Sequence, residues 1–188
     1  NIKSILVAGE HGHDLGYQCG GWSISWQGGS GNTTIGTTIL DGIRDNIGNQ
    51  SSVSFSKNGD EPNDHDIIIA VVGETPYAEM KGDSESLELS NKDKLLLERL
   101  IKTGKPIVLI LISGRPMIIT PYLEHVDAVL AAWLPGTEGS GVADLLFGDV
   151  SPTAKLSFSW PRDMSQIPIN YGDKTYDPLF PLGYGLTY

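Results

Sequence analysis

The sequence predicts an α/β protein, a three-layer α/β/α sandwich around a mostly parallel sheet of about six strands. Two short apolar runs rich in β-branched residues, 67–72 (IIIAVV) and 106–112 (PIVLILI), read as strands buried on both faces, the kind found inside parallel sheets. Stretches of helical period stand between such runs, which is the alternation of a doubly wound sheet. A length of 188 residues, 39% hydrophobic and 19% charged, suits one well-cored domain and is short for two, so 1–188 is expected to be a single sandwich domain.

Residues 3–8 (KSILVA) form the first strand signal, closed by Gly9. A long irregular stretch follows, 10–32, heavy in glycine and aromatics. Residues 33–47 place Ile35, Ile39, Leu40, Ile43 and Ile47 at helical spacing, with Gly48 to end the helix. A weak strand at 53–55 leads through a turn-rich segment, 58–64, into the strand 67–72. Gly73 stops that strand, and a polar loop carries Glu74, Glu79 and Asp83. Ser90 caps a helix expected over 91–103, with Leu95, Leu96, Leu100 and Ile101 as its core face and Gly104 after it. Strands at 106–112 and 127–132 (DAVLAA) come next, then Trp133, a glycine-rich turn and a helix from about 138 to 147. Residues 156–160 alternate in polarity and are expected as an edge strand. From Pro161 onward, prolines and aromatics predict an irregular tail wrapped over the domain.

A formal charge of −10 argues against nucleic acid or an anionic membrane as partner, because both require clustered Lys and Arg. No apolar run approaches the ~20 residues of a membrane span. Cys19 is the single cysteine, so no internal disulfide is possible, and it reads as a small buried residue rather than a nucleophile. With neither an initiator Met nor a signal peptide, the chain is expected to be a piece of something longer.

Several motifs fail on spacing. Gly9, Gly12 and Gly16 do not make G-x-G-x-x-G, no phosphate-binding G-x-x-x-x-G-K-[ST] loop exists, and neither Ser30 nor Ser140 has a G-x-S-x-G frame. His11 and His13 lack a third and fourth metal ligand in the sequence, so no metal site is expected and both read as hydrogen-bonding loop residues. Lys81 and Arg115 are expected as charge partners for loop carboxylates. Two loops keep chemical interest, because ligands of open α/β sheets bind beyond the carboxyl ends of strands. One is the loop of Glu74 and Glu79, able to place a general acid. The other is 20–31 (GGWSISWQGGSG), whose Trp22 is expected as a core anchor and whose Trp26 offers an indole face for stacking on a pyranose. If the strands before these loops are neighbours, Trp26 and the acidic loop share one rim.

Five stretches, 16–28 (GYQCGGWSISWQG), 72–83 (VGETPYAEMKGD), 112–116 (ISGRP), 131–149 (AAWLPGTEGSGVADLLFGD) and 177–188 (DPLFPLGYGLTY), together resemble family-3 glycoside hydrolases, most closely the β-glucan exohydrolases and β-glucosidases. The likeness covers nearly the whole chain and is to the family's second domain only. It implies a retaining, exo-acting enzyme that releases glucose from β-glucan oligosaccharides or β-glucosides without a cofactor. The nucleophilic aspartate would come from a partner (β/α)8 barrel domain outside this chain, leaving the isolated chain inactive. Position by position, the family's acid/base falls on Glu79, with Glu74 as rival, and its sugar-stacking tryptophan on Trp26. Some relatives carry a cysteine pair before the strand at 106–112, and this chain has none. An extracellular or periplasmic location follows from the resemblance alone. The competing expectation is a non-catalytic α/β module that binds carbohydrate or another small ligand.

Overall fold

The structure is a computed structural model that describes residues 2–49 and 51–188. Five strands, β1 (Ser4–Ala8), β2 (Ser52–Ser56), β3 (Ile67–Gly73), β4 (Ile107–Ile112) and β5 (Ala128–Trp133), form one sheet in the order β2-β1-β3-β4-β5. Every pairing is parallel. The order runs outward in one direction from β1 and in the other from β3, so the connections diverge between these two strands and open a crevice at their carboxyl ends.

Side chains alternate between two apolar layers, as strand geometry requires. Ile5 and Val7 of β1 join Ile69, Val71, Ile110 and Ile112 under the helices α2 (Ile39–Ile47) and α4 (Gly139–Phe147). Leu6 and Ala8 join Ile68, Ala70, Val72, Leu109 and Leu111 under α3 (Asn91–Ile101). The result is the α/β/α sandwich. Complete burial of such aliphatic side chains stabilises by about 1.5–3 kcal/mol each, which makes the sheet the main store of stability.

The structure departs from the sequence expectation in four places. Among the described residues the sheet has five strands, not six: 156–160 is no strand, because it lies across the α3 face, where Trp160 is only 2% exposed and donates from its indole Nε1 to the Met117 carbonyl at 2.8 Å. Its backbone meets the returning tail instead, through the Trp160–Phe180 bridge and the Leu156–Tyr184 hydrogen bond. The apolar period at 33–47 is real only from Ile39. Thr38 caps α2 by accepting from the Asp41 N–H, while Thr37 pairs with the loop before α4, which leaves Ile35 96% exposed. On α3 the buried face is Leu96, Leu97 and Leu100, and Leu95 is 64% exposed. Finally, the irregular stretch contains a 3-10 turn at Glu10–His13 and a short helix, α1 (Leu15–Cys19), capped by the Asp14 carboxylate.

Candidate active site

β1 and β3 are neighbours, so the loops that follow them meet at the diverging point of the sheet. The β1 loop arrives through α1. Asp14 Oδ1 accepts from the N–H groups of Tyr17 and Gly31, at 2.9 and 2.8 Å, and so pins both ends of the aromatic segment. Within it Trp22 N–H donates to the Trp26 carbonyl at 2.9 Å, which brings the two indoles to 6.4 Å between ring centroids, tilted by 54°.

The β3 loop leaves Gly73 and turns through a 3-10 segment, Glu79–Gly82. It is clamped at both ends by Arg115, which follows β4. The guanidinium pairs with Glu74 Oε1 at 2.7 Å, donates to the Gly82 carbonyl at 2.7 Å and lies 4.6 Å from the Tyr77 ring centroid. Tyr77 Oη donates to the second Glu74 oxygen at 3.0 Å. Burial, and then the Glu74 charge, push the Tyr77 phenol up to about 12, so it remains a donor across the working pH range. Both Glu74 oxygens thus have partners within the domain.

Glu79 is exposed and sits at φ +44°, in the left-handed region that costs a non-glycine residue about 1–3 kcal/mol. Its carboxylate stands between the indoles. Trp22 Nε1 donates to Oε1 at 3.1 Å and Trp26 Nε1 donates to Oε2. The predicted pair, Trp26 and Glu79, is therefore brought into direct contact. Trp22 is a correction: it is no core anchor but 70% exposed, at φ +60°. The loops can approach this closely because glycines face the contact. A Cβ on Gly21 would lie 2.0 Å from the Tyr77 carbonyl oxygen, and one on Gly28 would lie 2.6 Å from Pro76 Cβ.

Behind the same loop opens a cleft of about 730 Å³, floored by His11 and walled by Tyr17, Glu74, Asp93 and Arg115; neither Trp26 nor Glu79 lines it. His11 is 2% exposed, with Nε2 3.2 Å from the Glu74 carbonyl and its ring against Tyr17. Burial pulls its pKa below the ordinary histidine value, and burial likewise raises Asp93 above the ordinary carboxylate value. The other expected loop features divide. His13 bonds Thr38 Oγ1 at 2.8 Å; Arg115 takes the charge-partner role and Lys81 makes no ion pair among the described residues; Cys19 is half-buried, its thiol pushed up by desolvation.

Sequence reasoning missed Gln27. Its side-chain amide accepts from the Ala78 N–H at 3.0 Å and donates to the Ala78 carbonyl at 3.1 Å, an interaction between residues 51 positions apart. No local pattern announces it beyond the glycines beside it.

Fold and site together define a doubly wound α/β sandwich domain that presents a carboxylate held between two indoles at the point where its strand order diverges. The chain belongs to the glycosyl hydrolase family 3 C-terminal domain family, whose model matches residues 1–188. It is 35% identical to a lysosomal β-glucosidase of Dictyostelium discoideum, across 100% of this chain and 26% of that protein. With a β-xylosidase of Formosa agariphila it shares 33% identity, over 100% of this chain and 30% of the relative. Among solved structures, an exo-1,3/1,4-β-glucanase from a Pseudoalteromonas species superposes with a TM-score of 0.91 at 41% identity, covering 99% of this chain and 25% of that one. The chain therefore spans about a quarter to a third of the length of these relatives. A periplasmic β-glucosidase of Salmonella typhimurium matches 65% of the chain at 36% identity.

Proposed function

We propose that this chain, 1–188, is the single α/β sandwich domain that supplies the acid/base and a stacking platform to a retaining, exo-acting β-glucosidase or β-glucan glucohydrolase. The observation that carries the reading is the Glu79 carboxylate set between the Trp22 and Trp26 indoles on a positive-φ residue. A (β/α)8 barrel outside this chain brings the nucleophilic aspartate, about 5–5.5 Å from the acid/base as retention requires. In the first step Glu79 hands a proton to the glycosidic oxygen while the aspartate attacks the anomeric carbon, and a glycosyl-enzyme forms as the aglycone leaves. In the second step the Glu79 carboxylate takes a proton from water, which attacks the anomeric carbon and frees glucose. Each Glu79 oxygen accepts one indole N–H here and keeps a second lone-pair direction, so the carboxyl can carry and transfer its proton while both indoles stay in place. Trp26 offers its face to the sugar on the aglycone side, a contact of dispersion and apolar burial.

Glucose as the sugar released is supported by the likeness to the exo-β-glucanase and the β-glucosidase; xylosidases are also among the relatives, and turnover of paired aryl β-glucosides and β-xylosides separates the two sugars. Location outside the cytoplasm, extracellular or periplasmic, is supported by the periplasmic Salmonella relative.

The deciding experiment is azide rescue of Glu79→Ala in the complete enzyme with an activated aryl β-glucoside. Loss of the acid/base leaves glycosylation by a good leaving group fast and starves deglycosylation of its base, which azide does not need. Faster turnover with a β-glucosyl azide product is expected. Rescue of Glu74→Ala instead would move the role to Glu74, and rescue of neither would leave the domain a binding module.

A further inference from the structure

We propose that Gln27 is a positioning residue that sets Glu79 against Trp26, so that the stacking ring and the acid move as one piece. This rests on the acid/base reading of Glu79. Gln27 follows Trp26 directly, and Ala78 precedes Glu79 directly. The Gln27 side chain pairs with both backbone groups of Ala78, at 3.0 and 3.1 Å, in the manner of a strand partner. A backbone N–H only donates and a carbonyl only accepts, so this pairing fixes which end of the amide faces which group. Ala78 is 5% exposed, and Gln27 therefore satisfies polar groups with little access to water.

The location makes the pairing more than loop packing. The 3-10 turn that begins at Glu79 has no side-chain cap, and Glu79 itself lies at φ +44°, a conformation its own preference does not hold. Arg115 fixes the loop at Glu74 and Gly82, the outer ends of the segment. Between them, the Gln27 pairing holds the residue from which the Glu79 backbone departs. Only an amide side chain of this length both donates and accepts along one edge of a residue, meeting its N–H and its carbonyl together; Glu cannot donate and Met can do neither. A loosened Ala78 would let the Glu79 carboxyl drift, and a misplacement of ~1 Å costs about 100-fold where proton transfer limits the rate.

The test uses Gln27→Met in the complete enzyme, comparing kcat/KM on an alkyl β-glucoside, which needs its leaving group protonated, with a dinitrophenyl β-glucoside, which does not. The expected result is a loss of about 10-fold to 100-fold on the alkyl substrate and less than about 3-fold on the dinitrophenyl one. An equal loss on both, the mark of mere destabilisation, or no loss on either, overturns the proposal. If circular dichroism finds Gln27→Met unfolded, Gln27→Glu carries the test, because it keeps the acceptor for the Ala78 N–H; the same selectivity at smaller size is expected, and an even loss overturns it. Glu79→Ala, run in parallel, separates the two levels. If it loses activity equally on both substrates, the acid/base reading fails and this inference with it; if it is selective while the Gln27 variants are not, only the inference on Gln27 fails.

Discussion

The sheet and its carboxyl-end rim are built by different means from the same chain. In the sheet, β3 and β4 put seven and six residues side by side, almost all of them buried and apolar, and their backbone groups bond along the ladder. On the rim, the course of the chain is decided by single side chains that bond backbone far away in sequence: Asp14 to Gly31, Gln27 to Ala78, Arg115 to Gly82. The sheet tolerates exchange of one aliphatic residue for another of similar volume. The rim has no such redundancy, since each bond has one donor and one acceptor. On the proposed function, stability and chemistry are thereby separated in space.

The sharpest test of that separation is Glu79→Ala in the complete enzyme. Its kcat/KM on an unactivated β-glucoside should fall by about 10²–10⁴, while the melting temperature stays close to that of the parent, because an exposed carboxylate supports nothing in the core. The mirror experiment is Ile110→Ala in β4, where the side chain is fully buried. Denaturant unfolding should show a loss of about 2–5 kcal/mol, with the folded fraction keeping its specific activity. Arg115→Ala should blur the division: it strands Glu74 and releases Gly82, for a loss of about 1.5–3 kcal/mol and a reduced kcat together. A normal kcat in that variant would show that the loop holds itself.

Acid should strike the rim before the sheet. Burial lowers the His11 pKa, so below the unfolded value of 6.5 the unfolded chain binds the proton that the folded one refuses. Stability that is full above that value should fall as pH drops through it, by at most about 1.4 kcal/mol per unit. Asp93 acts in the opposite sense, since its raised pKa favours the folded state at low pH. Melting temperatures of the parent and His11→Asn between about pH 7 and 5 isolate the histidine, and a parallel pair of curves would remove it as the cause. The smallest effect belongs to Trp22→Phe. It replaces an exposed indole with a smaller exposed ring and removes the N–H to Glu79, so stability should change by less than about 0.5 kcal/mol in thermal unfolding.

The same division explains what was legible beforehand. β1, β3 and β4 appear in the sequence nearly at their true bounds, because burial on both faces demands unbroken apolar runs whatever the neighbours are; β5 is equally legible although it lies at the sheet's edge and is only half-buried. Features set by competition between local signals were legible only in part. The period of Ile35, Ile39 and Ile43 continues past the true start of α2, and only the Thr38–Asp41 cap decides where the helix begins. Residues 156–160 alternate like a strand, yet the large apolar face of α3 and the sheet beneath it claims Trp160 as a cover. On the rim the motif points to Glu79 and Trp26, but composition could not tell that Trp22 turns outward. Nor could it couple Gln27 to Ala78, whose partnership leaves no period to read.

The Gln27–Ala78 pairing also bears on assembly. Two groups carried on independent loops would each have to find their place after a second domain arrives, and each search would be charged against the encounter as lost freedom. If Gln27 locks the two groups as proposed, they would arrive with their relative placement settled, and a single rigid-body docking with the proposed barrel would complete the constellation.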